Sequence, residues 1–142
     1  MSRTSRRRAR EFALQGLYQW QLAKAEPDTI AKQLAEAKGF EKLDAGYFSA
    51  LLHGAVRDAA ELEREMAPCL DRPFSGLSPV ERGILLLAAF ELKHQPEVPY
   101  RVVINEAVEL AKEYGGTDGY KFVNGVLDRL AVRLRAAETK SV

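Results

Sequence analysis

The chain has 142 residues, 46% hydrophobic and 29% charged, which suits one globular domain with a continuous core and excludes a disordered chain. One cysteine, Cys69, excludes an internal disulfide. The longest purely apolar run, Ile84 to Phe90, is too short to cross a bilayer, and the basic N-terminus lacks the apolar stretch of a secretory signal, so the expected compartment is the reducing cytoplasm. The net charge of +1 conceals an asymmetry. Arg3, Arg6, Arg7, Arg8 and Arg10 are five of the 21 basic residues and lie in an acid-free opening segment, which leaves 16 basic residues against 20 acids elsewhere. A local basic block on a mildly acidic body points to a polyanion at one place or to a solvated terminus.

The pattern along the chain is helical throughout, with no clean strand alternation. A first helix is predicted from about Ser5 to Ala25. Glu26-Pro27-Asp28 stops it, and Asp28 is placed to cap a second helix ending near Gly39. A third helical stretch runs from about Asp44 to Leu70, as one helix or as two in series around Gly54 and Arg57-Asp58. The linker Asp71 to Leu77 follows. Ser78-Pro79-Val80-Glu81 then combines an N-cap serine, a first-turn proline and a glutamate able to bond back, and opens a helix to about His94. Pro96 and Pro99 break the chain. The next helix is predicted from about Tyr100 to Tyr114, ended by Gly115-Gly116. Thr117 or Asp118 caps a last helix to about Arg135, and the tail Ala136 to Val142 reads as frayed. The expected fold is all-α, a single compact bundle of six to seven helices with short connections. Gly16, Gly54, Gly83 and Gly125 fall inside helices, at a cost of up to about 1 kcal/mol each against alanine, and suggest close helix approach.

No catalytic constellation stands out. His53 and His94 are the only histidines, no Cys or His has metal-ligand spacing, and there is no strand to carry a glycine-rich phosphate loop. Cys69 reads as a small apolar packing residue. A binding role, without enzyme activity, metal or cofactor, is the expectation.

The first helix reads as a two-sided surface. Phe12, Ala13, Gly16, Leu17 and Trp20 form an apolar face for the core. Arg7, Arg10, Leu14 and Tyr18 lie along another stripe at spacings of three and four, with Arg6 one turn before Arg10, so three arginines and a tyrosine are expected to face away from the core. Guanidinium groups pair with phosphates and stack on bases, and an aromatic ring is a platform worth about 1–3 kcal/mol per stacked base. Tyr18 is such a platform or a residue at the core's rim. Arginines at a helix N-terminus oppose the helix dipole, an arrangement that a bound polyanion would relieve. No helix-turn-helix pattern with a separate recognition helix argues for duplex DNA.

The segments RRRAREFALQGLYQWQ, VPYRVVINEAVELAKEYG and above all KFVNGVLDRL resemble the NusB family of bacterial transcription antitermination factors, over most of the chain from Ser5 to about Leu134. The pairing of INEAVELAK with KFVNGVLD is highly specific; the arginine run alone is weak. The resemblance implies one all-α, non-enzymatic RNA-binding domain over residues 1–142, with helical subdomains at about 1–70 and 78–136. It implies pairing with NusE, a small-subunit ribosomal protein, and binding of the pair to boxA, a short single-stranded element in nascent ribosomal RNA leaders. With other Nus factors the pair would join elongating RNA polymerase and suppress termination.

The resemblance also assigns residues. Arg6, Arg7, Arg8 and Arg10 become RNA phosphate and base contacts, with Tyr18 beside them. The start of the last helix contributes Tyr114, Asp118, Lys121, Phe122 and Asn124, where a helix N-terminus behind a glycine turn attracts phosphate. Asp118 accepts from a base or caps the helix. Phe122 is a base platform or a core residue, and Asn124 reads more readily as a structural bond than as an RNA contact. Glu81 is the candidate for NusE, with the capping box as its other role. Gly119-Tyr120 departs from the family pattern, which often has a polar residue and a histidine there; Tyr120 could still stack on a base.

Two other classes share these features. One is the NusB-like domain that precedes the catalytic domain of some ribosomal RNA cytosine methyltransferases, which requires a following α/β domain that a chain ending at Val142 is expected to lack. The other is a protein-interaction scaffold whose arginines serve only solubility. Salt-dependent RNA affinity separates a scaffold from an RNA binder.

Overall fold

The computed structural model describes residues 3–140, so the ends of the expected domain, residues 1–2 and 141–142, lie outside the described residues. Among the described residues the chain is all-α, with eight α-helices, three short 3-10 turns and no strand. The helices are α1 (Arg3–Ala23), α2 (Pro27–Leu34), α3 (Ala45–Arg57), α4 (Ala59–Met66), α5 (Pro79–His94), α6 (Tyr100–Tyr114), α7 (Gly119–Leu134) and α8 (Ala136–Lys140). The third stretch divides at Asp58, the two-in-series alternative, which gives seven; the eighth is the tail from Ala136, expected to fray, which forms α8 as far as Lys140. The chain forms two compact units, Met1–Arg57 and Asp58–Val142, divided earlier than the expected linker at Asp71 to Leu77.

In the first unit α1 packs on α2 and α3. Gly16 makes the close approach possible, since a β-carbon there would lie 2.9 Å from Cδ1 of Leu52. Phe12, Phe40 and Phe48 stack edge to face, with ring centroids 5.6 Å and 5.2 Å apart. α2 begins differently from the expectation. Pro27 takes the first helical position behind Glu26, and Asp28 lies in the first turn, where its Oδ1 sits 2.8 Å from Nε2 of His53. The helix ends at Leu34, and the chain turns through Gly39 at φ +93°.

In the second unit α5 is the central helix. Every residue from Gly83 to Leu92 is buried, as expected of a helix apolar on all sides. Its start confirms the Ser-Pro-Val-Glu signal in a modified form. Ser78 Oγ accepts from the Glu81 N–H at 3.1 Å, and the Glu81 carboxylate accepts from the Ser78 hydroxyl at 3.2 Å, not from the backbone. The other end is closed by Arg135, which is 8% exposed and donates to the carbonyls of Leu92, Glu91 and Gln95 at 2.7, 3.2 and 3.0 Å. Glu138 of α8 holds Arg135 at 2.6 Å and accepts from the Tyr100 N–H at 2.9 Å. These bonds are why the tail is helical.

Arg129 donates twice to the Cys69 carbonyl, at 3.0 and 2.8 Å, and Cys69 is buried, which raises the pKa of its thiol and keeps it unreactive. Gly125 does not mark a close helix approach: the nearest contact of a β-carbon there would be 3.6 Å, to Arg129 on the same helix.

Candidate nucleic-acid interface

The first unit handles its arginines in a way the helical wheel does not anticipate. Asp44, just before α3, accepts at Oδ1 from the Tyr47 N–H at 3.1 Å and donates its own N–H to the Ser5 carbonyl at 3.1 Å. That places an acid against the opening turns of α1, which carry none. Arg6 answers it, with Nε 3.8 Å from Oδ2 of Asp44 and Cζ 4.4 Å from the centre of the Tyr47 ring. Arg10 Cζ lies 5.4 Å from the same ring, and Arg10 is only 4% exposed.

The stripe expected to face away from the core therefore divides. Arg10 and Leu14 are buried, whereas Arg7 and Tyr18 are exposed. Arg10 is a structural cation under Tyr47 and not a surface contact. Arg8 is half-buried, its Nη1 3.7 Å from where a β-carbon on Gly39 would stand. The chain itself supplies part of the compensation that a polyanion was expected to give, through Asp44.

The second unit buries Arg135 but presents cations openly at the α6–α7 turn. Tyr114 ends α6 and is 44% exposed. Gly115 must be glycine, because a β-carbon there would stand 2.7 Å from the Ala111 carbonyl oxygen. The chain then turns through Asp118 at φ +65° and enters α7. Asp118 occupies the N-cap position, but its side chain makes no capping bond. Its Oδ1 instead lies 3.5 Å from Nζ of Lys121, and both side chains are about two-thirds exposed.

Lys121 Nζ is 5.9 Å from the Tyr120 ring centre, and Lys112 Nζ, from α6, is 5.3 Å from it. Tyr120 is thus flanked by two ammonium groups. Lys112 belongs to this rim although sequence reasoning passed over it; the signal was available only across the glycine turn, in the pairing of one helix end with the next helix start. Asn124 is exposed, and its Nδ2 lies 3.4 Å from Oδ2 of Asp128, a long bond within the helix. Phe122 is half-buried, with the guanidinium of Arg72 4.7 Å from its ring centre.

Glu81 is half-buried. Its Oε2 stands 3.3 Å from where a β-carbon on Gly119 would be, so the carboxylate lies against the positive end of α7 as well as in the capping box of α5. Among the described residues no group of three or more His, Cys, Asp or Glu could hold a metal ion, and no helix is long and apolar enough to cross a membrane.

Fold and surfaces together define a class: a small all-helical protein that carries both exposed cations and exposed aromatic rings. Comparison with known proteins makes the class specific. A sequence model of the NusB family matches residues 7–132, and the chain belongs to the NusB family. It is similar to the transcription antitermination protein NusB of Nitrosospira multiformis, 65% identical over 129 residues that cover 91% of this chain and 82% of the relative. The NusB protein of Paraburkholderia phytofirmans is 58% identical over 139 residues, covering 98% and 96%. A solved structure of the antitermination factors NusB and NusE in complex with double-stranded RNA contains a chain that superposes with a TM-score of 0.82 at 29% identity, covering 93% of this chain and 99% of that one.

Proposed function

We propose that this chain is an RNA-binding transcription antitermination factor that works with NusE. Its RNA target is boxA in nascent ribosomal RNA leaders, and through other Nus factors it joins the elongating RNA polymerase. It acts in the cytoplasm as one non-enzymatic domain over residues 1–142, without metal or cofactor. Family membership supports the role, as do the relatives named for antitermination and the similar NusB chain found with NusE and RNA.

The observation that carries the chemistry is the rim at the start of α7. Lys121 and Lys112 bring two ammonium groups to one ring, Tyr114 adds an exposed platform, and the glycine turn leaves the backbone approachable. In the first unit, Arg6, Arg7, Arg8 and Tyr18 remain RNA contacts in this reading, and Arg10 becomes their support. Asp118, Phe122 and Asn124 line the same rim in the second unit. Glu81 is the contact offered to NusE, since a basic ribosomal protein suits a half-exposed acid.

The test is equilibrium binding of labelled single-stranded boxA RNA, with and without purified NusE, against a scrambled strand and a duplex of equal length. The expected result is preference for boxA that tightens with NusE and weakens with salt. Equal binding to all three RNAs, unmoved by NusE, would reduce the surface to general electrostatics.

A further inference from the structure

Arg72 lies in the linker before α5, in a segment with no helical periodicity to attract attention. Its guanidinium is nevertheless held in a defined place. Cζ is 4.7 Å from the centre of the Phe122 ring, and Nε donates to Oδ1 of Asp71 at 3.0 Å. The ion pair is open to water, with the Arg72 side chain 52% exposed and that of Asp71 71% exposed. The same bond holds the Asp71 carboxyl below the usual aspartate range.

We propose that Arg72 is an RNA-contacting residue, that it and Phe122 form one stacking and phosphate-pairing element, and that Asp71 competes with RNA for it. The proposal rests on the RNA-binding reading above and adds to it a contact outside both basic segments. Three properties support it. A planar guanidinium set against an aromatic ring presents a second flat face, on which a base can stack as it would on the ring. The bond to Asp71 uses the Nε edge, while the Nη groups carry the remaining donors in the fork that matches phosphate oxygens. The pair with Asp71 joins neighbours in sequence at an exposed site, where such pairs contribute little, so a phosphate can replace the carboxylate at small cost.

The experiment measures single-stranded boxA RNA affinity across a salt series for the full-length chain and for Arg72→Ala, Arg72→Lys and Asp71→Asn, with urea unfolding of each as a control. Arg72→Ala should weaken binding about 5- to 10-fold and lower the slope of log affinity against log salt by about 0.7, the value of one single-strand phosphate contact. Arg72→Lys should keep the slope but recover only part of the affinity, because lysine carries the charge without the plane. Asp71→Asn should tighten binding by about 2- to 3-fold, since the competing carboxylate charge is gone.

Unchanged affinity and slope in Arg72→Ala, with normal binding by the unaltered chain, would overturn this inference alone. No binding by the unaltered chain would overturn the RNA-binding reading and this inference with it. A loss of affinity in Asp71→Asn equal to that in Arg72→Ala, without a change of slope, would make the pair a structural brace and also overturn it.

Discussion

The arginine run of the first unit and the α6–α7 turn of the second both place positive charge beside aromatic rings, but they use it differently. In the first, Arg6 and Arg10 converge on Tyr47, which is itself buried, and Asp44 meets Arg6 from the start of α3. In the second, Lys112 and Lys121 flank Tyr120 from opposite sides of a glycine turn, and their acid partners, Glu109 and Asp118, are as exposed as they are. The density of charge in a sequence therefore does not tell which cations the fold leaves open to solvent. A run of five arginines includes one that the fold consumes, whereas lysines nine positions apart form an open rim.

The largest effect that could break this contrast is at Arg10. Its removal should destabilise the protein by about 2–3 kcal/mol, because a buried charged group and its contacts are lost, as urea unfolding would measure. RNA affinity of the folded fraction should stay within about twofold of the unaltered chain, less than the loss of one stacked base. A normal urea midpoint with sharply weaker RNA binding would mean that Arg10 reaches the ligand after all.

Substitutions at the rim should do the reverse. Tyr114→Ala should cost about 1–3 kcal/mol of RNA binding if a base stacks there, and Lys121→Ala should lower the salt slope by about 0.7. Both should leave stability within about 0.5 kcal/mol, as is usual at exposed positions. Isothermal titration at several salt concentrations, paired with thermal melts, would check both.

Asp44→Ala sharpens the comparison from the protein's own side. It removes the cap of α3 and the acid facing Arg6, so stability should fall by about 1–2 kcal/mol. RNA affinity should not fall, and should rise slightly if Arg6 is released to a phosphate. A parallel loss of both would tie the first unit's arginines to RNA only through the fold.

The smallest effect concerns anchoring within the second unit. The Tyr100 N–H, and then Arg135, hold the Glu138 carboxyl below the usual glutamate range. A carboxylate with a depressed folded-state pKa contributes stability above its unfolded value and loses it as the pH falls through the folded one. Melting temperature should therefore fall in acid less steeply for Glu138→Gln than for the unaltered chain. The contribution is small because the side chain is 37% exposed and solvent-screened.

Much of the fold was legible because the signals were local. Ser78-Pro79-Val80-Glu81 opened α5, the prolines after His94 closed it, and Gly115-Gly116 closed α6. What was not legible depended on partners distant in sequence. α8 forms because Glu138 reaches Tyr100.

The candidate site shows the same limit. Tyr18 is exposed as its place on the helical stripe suggested, and Tyr114 and Lys121, assigned through the family resemblance, are exposed too. Arg10 could not be placed by a wheel, because Tyr47 lies in another helix. Arg72 lies in no motif, and Lys112 ends INEAVELAK without any sign of a contact; their places show only where the linker meets Phe122 and α6 meets Tyr120.

In the reading proposed above, the exposed cations meet the RNA and buried Arg10 supports the fold. Amide chemical-shift mapping during titration with single-stranded boxA RNA tests it most directly. The largest shifts are expected at Lys112, at residues 114–122, at Arg72, and at Arg7 and Tyr18, with Arg10 and Tyr47 nearly still. Shifts concentrated at Arg10 and Tyr47, with the α6–α7 turn silent, would contradict it.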